Sequence, residues 1–472
     1  MITFLVVLYL LALAILSLYG LVGLLTLWLY WRHRHDEQPQ PPVPPELPSV
    51  TIQLPIFNER YVVESLIDTA VALNYPRDKL QIQIIDDSTD DTTEIAAARI
   101  AHHREQGVNI SLLHRDNQQG FKAGALENAL PQASGEFIAI FDADFQPQPD
   151  FLRQTIPHFL TEPQLGMIQA RWGHLNDGDS ALTAAQAIAL DKHFAMEQNV
   201  RYWANLFPKF NGAGGIWRRA CMIDAGGWED DTVCEDLCLS TRAILRGWQF
   251  RFLNDVVAPA ELPASISAYK NQQARWAKGS SQCLVKFGRP ILADRQHTLV
   301  SRLYALFSMS AYSTHLLLIA LLLLQLPLIV ANYQLPGWLL LFSLAGIGQP
   351  LLFIASQAVL YPDWRWRLRH LPTLLLIAIG LAPSNTRAIL QAFFGREHVF
   401  IRTPKQGGNG RITPTYRLHF DWIVAAELFL MAYAALSILL TLRQGNLGPL
   451  FFLAICVAGF GYVAFLTLRE QK

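Results

Sequence analysis

The sequence predicts an α/β domain with a mainly parallel sheet, set between two α-helical membrane segments. Three observations predict it. The chain of 472 residues is 51% apolar and 16% charged, but that average hides a division: residues 50–290 have mixed composition, while residues 1–31 and most of 291–472 are apolar. Within 50–290, short apolar runs alternate with helix-like stretches, the pattern of a sheet covered on both faces. Several of those runs stop at carboxylates or other polar residues, which a buried strand has no reason to carry except at its end.

The first element is an apolar stretch at 2–31, longer than the roughly 20 residues a helix needs to cross a bilayer. It has no basic start and no short leader-like core, so it is expected to be an uncleaved anchor. Arg32, His33, Arg34 and His35 follow, and basic residues stay on the cytoplasmic side. A proline-rich linker occupies 32–49 and should act as a semi-rigid spacer. At the other end, spans are expected at about 304–332, 337–361, 419–442 and 447–468. Between the second and third of these, Arg365/Arg367/Arg369 and Arg396/Arg402/Lys405/Arg411/Arg417 flank an apolar run too short to cross. Residues 371–395 are therefore expected to be re-entrant or interfacial. Five crossings place the N-terminus outside and the C-terminus inside.

In the domain, Val50–Pro55 reads as a strand running into Pro55–Glu59, and Val62–Leu73 as an amphipathic helix. Ile82–Ile85 is a strand ending at Asp86-Asp87, followed by helical Thr92–Glu105. Ile110–His114 is a strand, Lys122–Leu130 a helix, and Phe137–Phe141 a strand ending at Asp142-Ala143-Asp144. In open sheets of this kind, ligands bind outside the carboxyl ends of the strands. That edge collects Pro55, Asn58, Glu59, Asp86, Asp87, Asp142 and Asp144. Leu237–Leu245 is a further amphipathic stretch.

Each motif has a chemical and a plain reading. Asp142 and Asp144 suit Mg²⁺ or Mn²⁺, which take hard oxygen ligands and leave room for substrate phosphates; the same pattern also caps a helix. Asp86 and Asp87 suit a nucleotide base or ribose, or equally a turn. Lys122, between Gly120 and Gly124, can reach a phosphate or simply face water. Glu235 and Asp236 can deprotonate an attacking hydroxyl, and they also suit a helix N-terminus. Gln272, Arg275 and Trp276 combine a fork for phosphate oxygens with a flat indole, although Arg and Trp also anchor helices at a membrane surface. Only the order of the four motifs favours the chemical reading: a sugar moved from a nucleotide donor beside a membrane.

The formal net charge is zero, so there is no basic field to hold a nucleic acid. Five cysteines, odd in number, argue against a disulfide framework. Cys234 and Cys238 lack the partners of a zinc site and are expected to pack.

These motifs together resemble the processive family 2 glycosyltransferases, of the cellulose-synthase type. Asp86/Asp87, Asp142/Asp144, Glu235/Asp236 and Gln272/Arg275/Trp276 match the family's order over about 50–290. Phe141–Asp150, Gln169-Ala-Arg-Trp172 and Phe210–Gly215 resemble the mannan and glucan synthase-like members, and Arg402–Lys405 resembles a segment of bacterial relatives. The resemblance implies a GT-A (Rossmann-like) domain at 50–290, an anchor at 1–31 and a transmembrane domain at 291–472. It implies a divalent metal and an inverting transfer from UDP-glucose or GDP-mannose to a growing β-glycan. Asp236 would be the base, Gln272, Arg275 and Trp276 would lie by the diphosphate and acceptor terminus, and Asn211 and Gly212 would lie by the acceptor. Cys234 stands where the family has Thr. A regulatory β-barrel like that of bacterial cellulose synthases is not expected.

The expected setting is a plasma or inner membrane with the domain in the cytoplasm. A glycolipid synthase adding glucose to diacylglycerol or ceramide is the competing enzyme. A receptor or channel with a nucleotide-binding domain leaves Glu235/Asp236 and Gln272–Trp276 without a shared purpose.

Overall fold

The computed structural model describes residues 1–339, 341–342, 346–395 and 422–470. The basic cluster from Arg396 to Arg417, with the Arg402–Lys405 segment, lies outside the described residues. Seven strands form one sheet: β1 (Val50–Ile56), β2 (Leu80–Asp86), β3 (Ile110–His114), β4 (Phe137–Ile140), β5 (Leu165–His174), β6 (Gly215–Arg218) and β7 (Gln249–Ala260). Their order is β3-β2-β1-β4-β6-β5-β7. β1 pairs in parallel with β2 and β4, and β2 pairs in parallel with β3. β6 runs antiparallel between β4 and β5, and β5 pairs in parallel with β7. The sheet is thus mainly parallel, as expected, with one reversed strand that the pattern of apolar runs did not reveal. β1 and β4 are buried almost throughout, which is why they read as continuous apolar runs.

Helix α1 (Ile2–His33) precedes the sheet. The crossovers are α2 (Val63–Val71), α3 (Thr92–Glu105), α4 (Phe121–Ala129) and α5 (Phe151–Thr161). After β5 comes α6 (Ala181–Asp191), opened by a capping box between Ser180 and Thr183. It continues through a π-helical stretch, Lys192–Gln198, into α7 (Asn199–Trp203). Then follow α8 (Arg219–Asp224), α9 (Glu235–Leu245), α10 (Ile266–Ala293), α11 (Leu299–Met309) and α12 (Ser313–Val330).

Four described helices are long and apolar enough to cross a bilayer: α1, α12, Trp422–Arg443 and Leu450–Glu470. The span expected at 304–332 is divided, because the chain breaks after Met309 and restarts at Ser313. In the span expected at 337–361, the longest helix among the described residues is Gly348–Leu360, with 13 residues; at 1.5 Å per residue it is about 20 Å long, short of a bilayer. Residues 371–394 form two helices, and the pair Trp364–Gly380 and Ala382–Phe394 is bent by 44°. Gly348 lets its helix touch α1: a Cβ there would stand 2.2 Å from the Gly20 carbonyl oxygen. Close approach through small residues is how helices pack where no water is available to drive them together.

Helix α10 joins the two parts. Glu470, at the end of the last described helix, accepts from the Ile266 and Ser267 backbone N–H groups (2.6 and 3.1 Å). One turn further on, Lys270 Nζ donates to Glu427 Oε1 at 2.5 Å, with both side chains buried. The helix that carries Gln272, Arg275 and Trp276 is thereby fixed to the apolar bundle.

Candidate active site

A cavity of about 220 Å³ opens at the carboxyl ends of β1, β2 and β4. Pro55 and Glu59 line it from β1, Asp87 from β2, and Asp142 and Asp144 from β4. Lys122 enters from α4, Asn211 and Gly212 from the loop before β6, Glu235 and Asp236 from the first turn of α9, and Gln272, Arg275 and Trp276 from α10. All four motifs therefore meet in one place. Two expected residues do not line it. Asn58 sits at φ 55°, in the left-handed region that Asn tolerates, and accepts from the Thr89 N–H at 2.8 Å, tying the end of β1 to that of β2. Asp86 is fully buried and accepts from the Ser88 N–H (2.9 Å) and the Thr93 hydroxyl (2.6 Å), with His114 Nδ1 2.8 Å away. Burial opposes its charge, but the bonds from Ser88, Thr93 and His114 outweigh burial and hold its carboxyl below the usual range. Of the Asp pair, only Asp87 faces the cavity. It is gripped by Arg115 through two bonds of 2.8 and 2.5 Å, an Arg that no sequence motif singles out.

Lys122 bridges two edges of the site. Its ammonium donates to Asp142 Oδ1 (2.6 Å) and to the Gly212 carbonyl (3.1 Å), with Glu235 Oε1 3.9 Å away. Asp142 and Asp144 give two hard oxygen donors facing the cavity, and no group of three or more His, Cys, Asp or Glu is assembled among the described residues. That set fits Mg²⁺ or Mn²⁺ completed by phosphate oxygens and water, and does not fit a closed protein cage.

Asp236 is enclosed by protein yet faces the cavity. Burial first, then the neighbouring Glu235, push its carboxyl up to about 7, against the Leu237 N–H and the ammonium groups of Lys122 and Lys209. A carboxylate tuned to that range suits proton abstraction near neutral pH. Gly212 lies at φ 84°, and a Cβ there would stand 3.2 Å from Asp236 Oδ2; only glycine lets this backbone lie so close. Cys234, just before α9, packs where Gly279 of α10 has no side chain: a Cβ would meet its Sγ at 2.2 Å. Burial pushes the Cys234 thiol well up, so it is a packing group and not a nucleophile.

The motifs Gln169–Trp172 and Phe210–Gly215 come together. Gln169 Nε2 donates to the carbonyls of Ala213 (3.0 Å) and Gly214 (3.1 Å), its Oε1 accepts from the Asn211 N–H (2.8 Å), and Trp172 Nε1 donates to the Ala213 carbonyl (3.0 Å). The Asn211 side chain accepts from Gln198 Nε2 (2.6 Å) and donates to His193 Nε2 (3.0 Å), whose Nδ1 lies 3.0 Å from Glu197. Burial lowers the His193 imidazole to about 4, so it stays neutral.

A second cavity, of about 340 Å³, continues from the first through Trp172, Asn211, Cys234, Asp236, Gln272 and Trp276. It passes the π-helical stretch (Lys192, His193, Glu197) together with Arg201 and Lys209. It ends among Tyr19, Val22 and Thr26 of α1, Tyr304 and Phe307 of α11, Tyr312, and Gln349 and Phe353. The sequence held no sign of the π-helical residues. A π-helical turn often marks a functional site, but it has no sequence signature.

A mainly parallel sheet with acidic residues at its carboxyl edge, completed by two helices that supply an acid pair and a Gln-x-x-Arg-Trp, defines a GT-A glycosyltransferase domain. Residues 48–279 match the family model described as glycosyltransferase like family 2, and the domain belongs to that family. The chain is 40% identical over 265 residues to glucomannan 4-beta-mannosyltransferase 9 of Arabidopsis thaliana, covering 55% of this chain and 50% of that protein. It is 38% identical over 303 residues to glucomannan 4-beta-mannosyltransferase 1 of Oryza sativa subsp. japonica, covering 62% and 58%. The chain thus spans about half the length of the curated relatives it matches. The mannosyltransferase PcManGT of Pyrobaculum calidifontis, solved with GDP-Man and Mn²⁺, shares the fold with a TM-score of 0.56 at 21% identity, over 83% of this chain and 100% of that one.

Proposed function

We propose that the protein transfers a hexose, with inversion, from a nucleotide-activated donor to the end of a β-linked glycan at a membrane. The observation that carries this reading is the continuity of the two cavities at Asp236 and Trp276. One cavity has the carboxylates and lysine that suit a nucleotide diphosphate. The other leads from the same base and indole into the helices. Its charged middle, formed by Lys192, Glu197 and Arg201, suits a hydroxyl-rich chain and would penalise an acyl tail. That disfavours a diacylglycerol or ceramide acceptor. The names of the relatives favour a mannosyl donor, GDP-mannose before UDP-glucose, and a 4-β link.

In this reading Asp87 and Glu59 lie by the nucleoside, and Gln272 and Arg275 lie by the diphosphate. Lys122 holds Asp142 in place while its own charge faces the donor. Mg²⁺ or Mn²⁺ bound by Asp142 and Asp144 would neutralise the departing diphosphate. Trp276 offers its face to the acceptor sugar and Asp236 takes the proton from the attacking hydroxyl, so the new bond forms opposite the leaving group. The apolar helices at both ends belong to a plasma or inner membrane, with the domain on the cytoplasmic side, where Arg32 and Arg34 follow α1. The cavity among those helices is the route by which the product leaves.

The test is to incubate the protein in nanodiscs with Mg²⁺ or Mn²⁺ and labelled GDP-mannose or UDP-glucose in parallel. Label is expected in a polymeric fraction and is expected to vanish in Asp144→Ala. Label confined to the lipid extract would sink the glycan reading.

A further inference from the structure

The second cavity holds three cations besides the catalytic carboxylate, and two of them are already engaged. Lys192 donates to Glu197 (2.6 Å) and Gln349 (3.3 Å). Arg201 donates to Gln198 (3.1 Å) and Ser308 (2.8 Å), with Glu197 3.5 Å away. At the junction with the first cavity, Lys122 is engaged by Asp142 and Gly212. Lys209 differs. Among the described residues its ammonium has no hydrogen-bond or ion-pair partner, although it lines the same cavity as Asp236, Asn211 and Trp276. Its backbone is fixed, because the Lys209 carbonyl accepts from Gln198 Nε2 at 2.6 Å.

We infer that Lys209 is an acceptor-binding residue: its ammonium donates to hydroxyl or ring oxygens of the sugar at the growing end, beside the base that deprotonates it. The inference rests on the glycan reading above and narrows it to one side chain. An ammonium carries three donors and no acceptor, and enclosing it without partners is costly. Burial first, then Arg201, pull it down to about 8, with Glu197 and Asp236 opposing, so it is still largely charged at neutral pH. A pyranose chain filling the cavity supplies the oxygens the protein leaves out, and Trp276 supplies a flat apolar face for the same sugar. An acyl chain at this point would leave the charge without a partner.

The experiment uses the full chain in nanodiscs with saturating donor, and mannotetraose or cellotetraose as the acceptor probe. Lys209→Met is compared with wild type and Lys209→Arg, each checked for an unchanged thermal transition. Losing a charge-assisted bond should raise KM for the tetrasaccharide about ten- to a hundredfold in Lys209→Met. Lys209→Arg should recover part of that loss. KM for the donor should move less than about twofold, because no donor contact is removed. The ratio of elongation to donor hydrolysis should fall with acceptor affinity. Equal loss of elongation and hydrolysis, or an unchanged acceptor KM, would overturn the assignment and leave Lys209 as a neighbour of Asp236 only. If wild type elongates neither tetrasaccharide yet labels lipid, the glycan reading fails instead, a result that needs no variant to see.

Discussion

Asp86 and Asp236 are carboxylates in two-residue acidic motifs, one fully buried at the end of β2 and one half-buried at the start of α9. They are opposite in kind. Asp86 is surrounded by donors from Ser88, Thr93 and His114 and is held ionised. Asp236 faces a cavity beside another carboxylate and is pushed up to about 7. The difference shows that burial alone does not assign a role. What decides is whether the protein satisfies the charge or leaves it poised for something that arrives.

The largest separation should come from removing each charge without changing shape. Asp236→Asn should cut transfer about 10²- to 10⁴-fold, the usual worth of a positioned base, with little change in thermal stability, as measured by turnover and melting in parallel. Asp86→Asn should do the reverse. With one carboxylate oxygen replaced by an amide, donors now satisfied lose their acceptor, and about 1–3 kcal/mol of stability should be lost. If Asp86→Asn melts like wild type but stops transfer, the contrast is broken.

The pH dependence sharpens it further. As the proposed base, Asp236 would act only when deprotonated, so transfer should rise as pH passes through about 7 and then level off, dropping about tenfold per unit on the acid side. A flat rate from pH 5 to 8 would remove the base assignment. Asp86 has a depressed carboxyl, so its stabilising effect is present above the ordinary carboxylate range and is lost only as pH falls below it. The smallest effect is expected at Gly212→Ala, where the added Cβ meets Asp236 Oδ2 at 3.2 Å and the backbone is left-handed. About 1–2 kcal/mol of strain should appear as reduced transfer. Full activity would mean that the loop and the carboxylate are not in register.

The half of the sheet from β1 to β4 was legible because β1, β2 and β4 are buried almost throughout and the first crossover, α2, has a clear apolar face. β6 was not, since four residues running antiparallel between two others carry no period of their own. The motif residues were readable as a set, because strand ends and helix starts converge wherever the intervening chain is compact. Asn58 and Asp86 do not line the cavity for a physical reason: polar residues at strand ends serve the turn as readily as the ligand. The π-helical stretch has no sequence signature, Arg115 is placed by the pairing of β2 with β3, and the second cavity was invisible because it depends on elements far apart in sequence meeting beside α10. The membrane part was legible in its hydropathy but not in its breaks. Met309–Ser313 carries no proline or charge to announce that one apolar run is two helices.

Helix α1 lines the second cavity through Tyr19, Val22 and Thr26, and it packs on α12 and on the Gly348–Leu360 helix. Those partners are synthesised roughly 280 residues later, about 15–60 s of translation at common ribosome speeds. For that interval the first helix carries one wall of the second cavity with no opposite wall. The order of manufacture therefore delays closure of that cavity until the sheet domain has emerged.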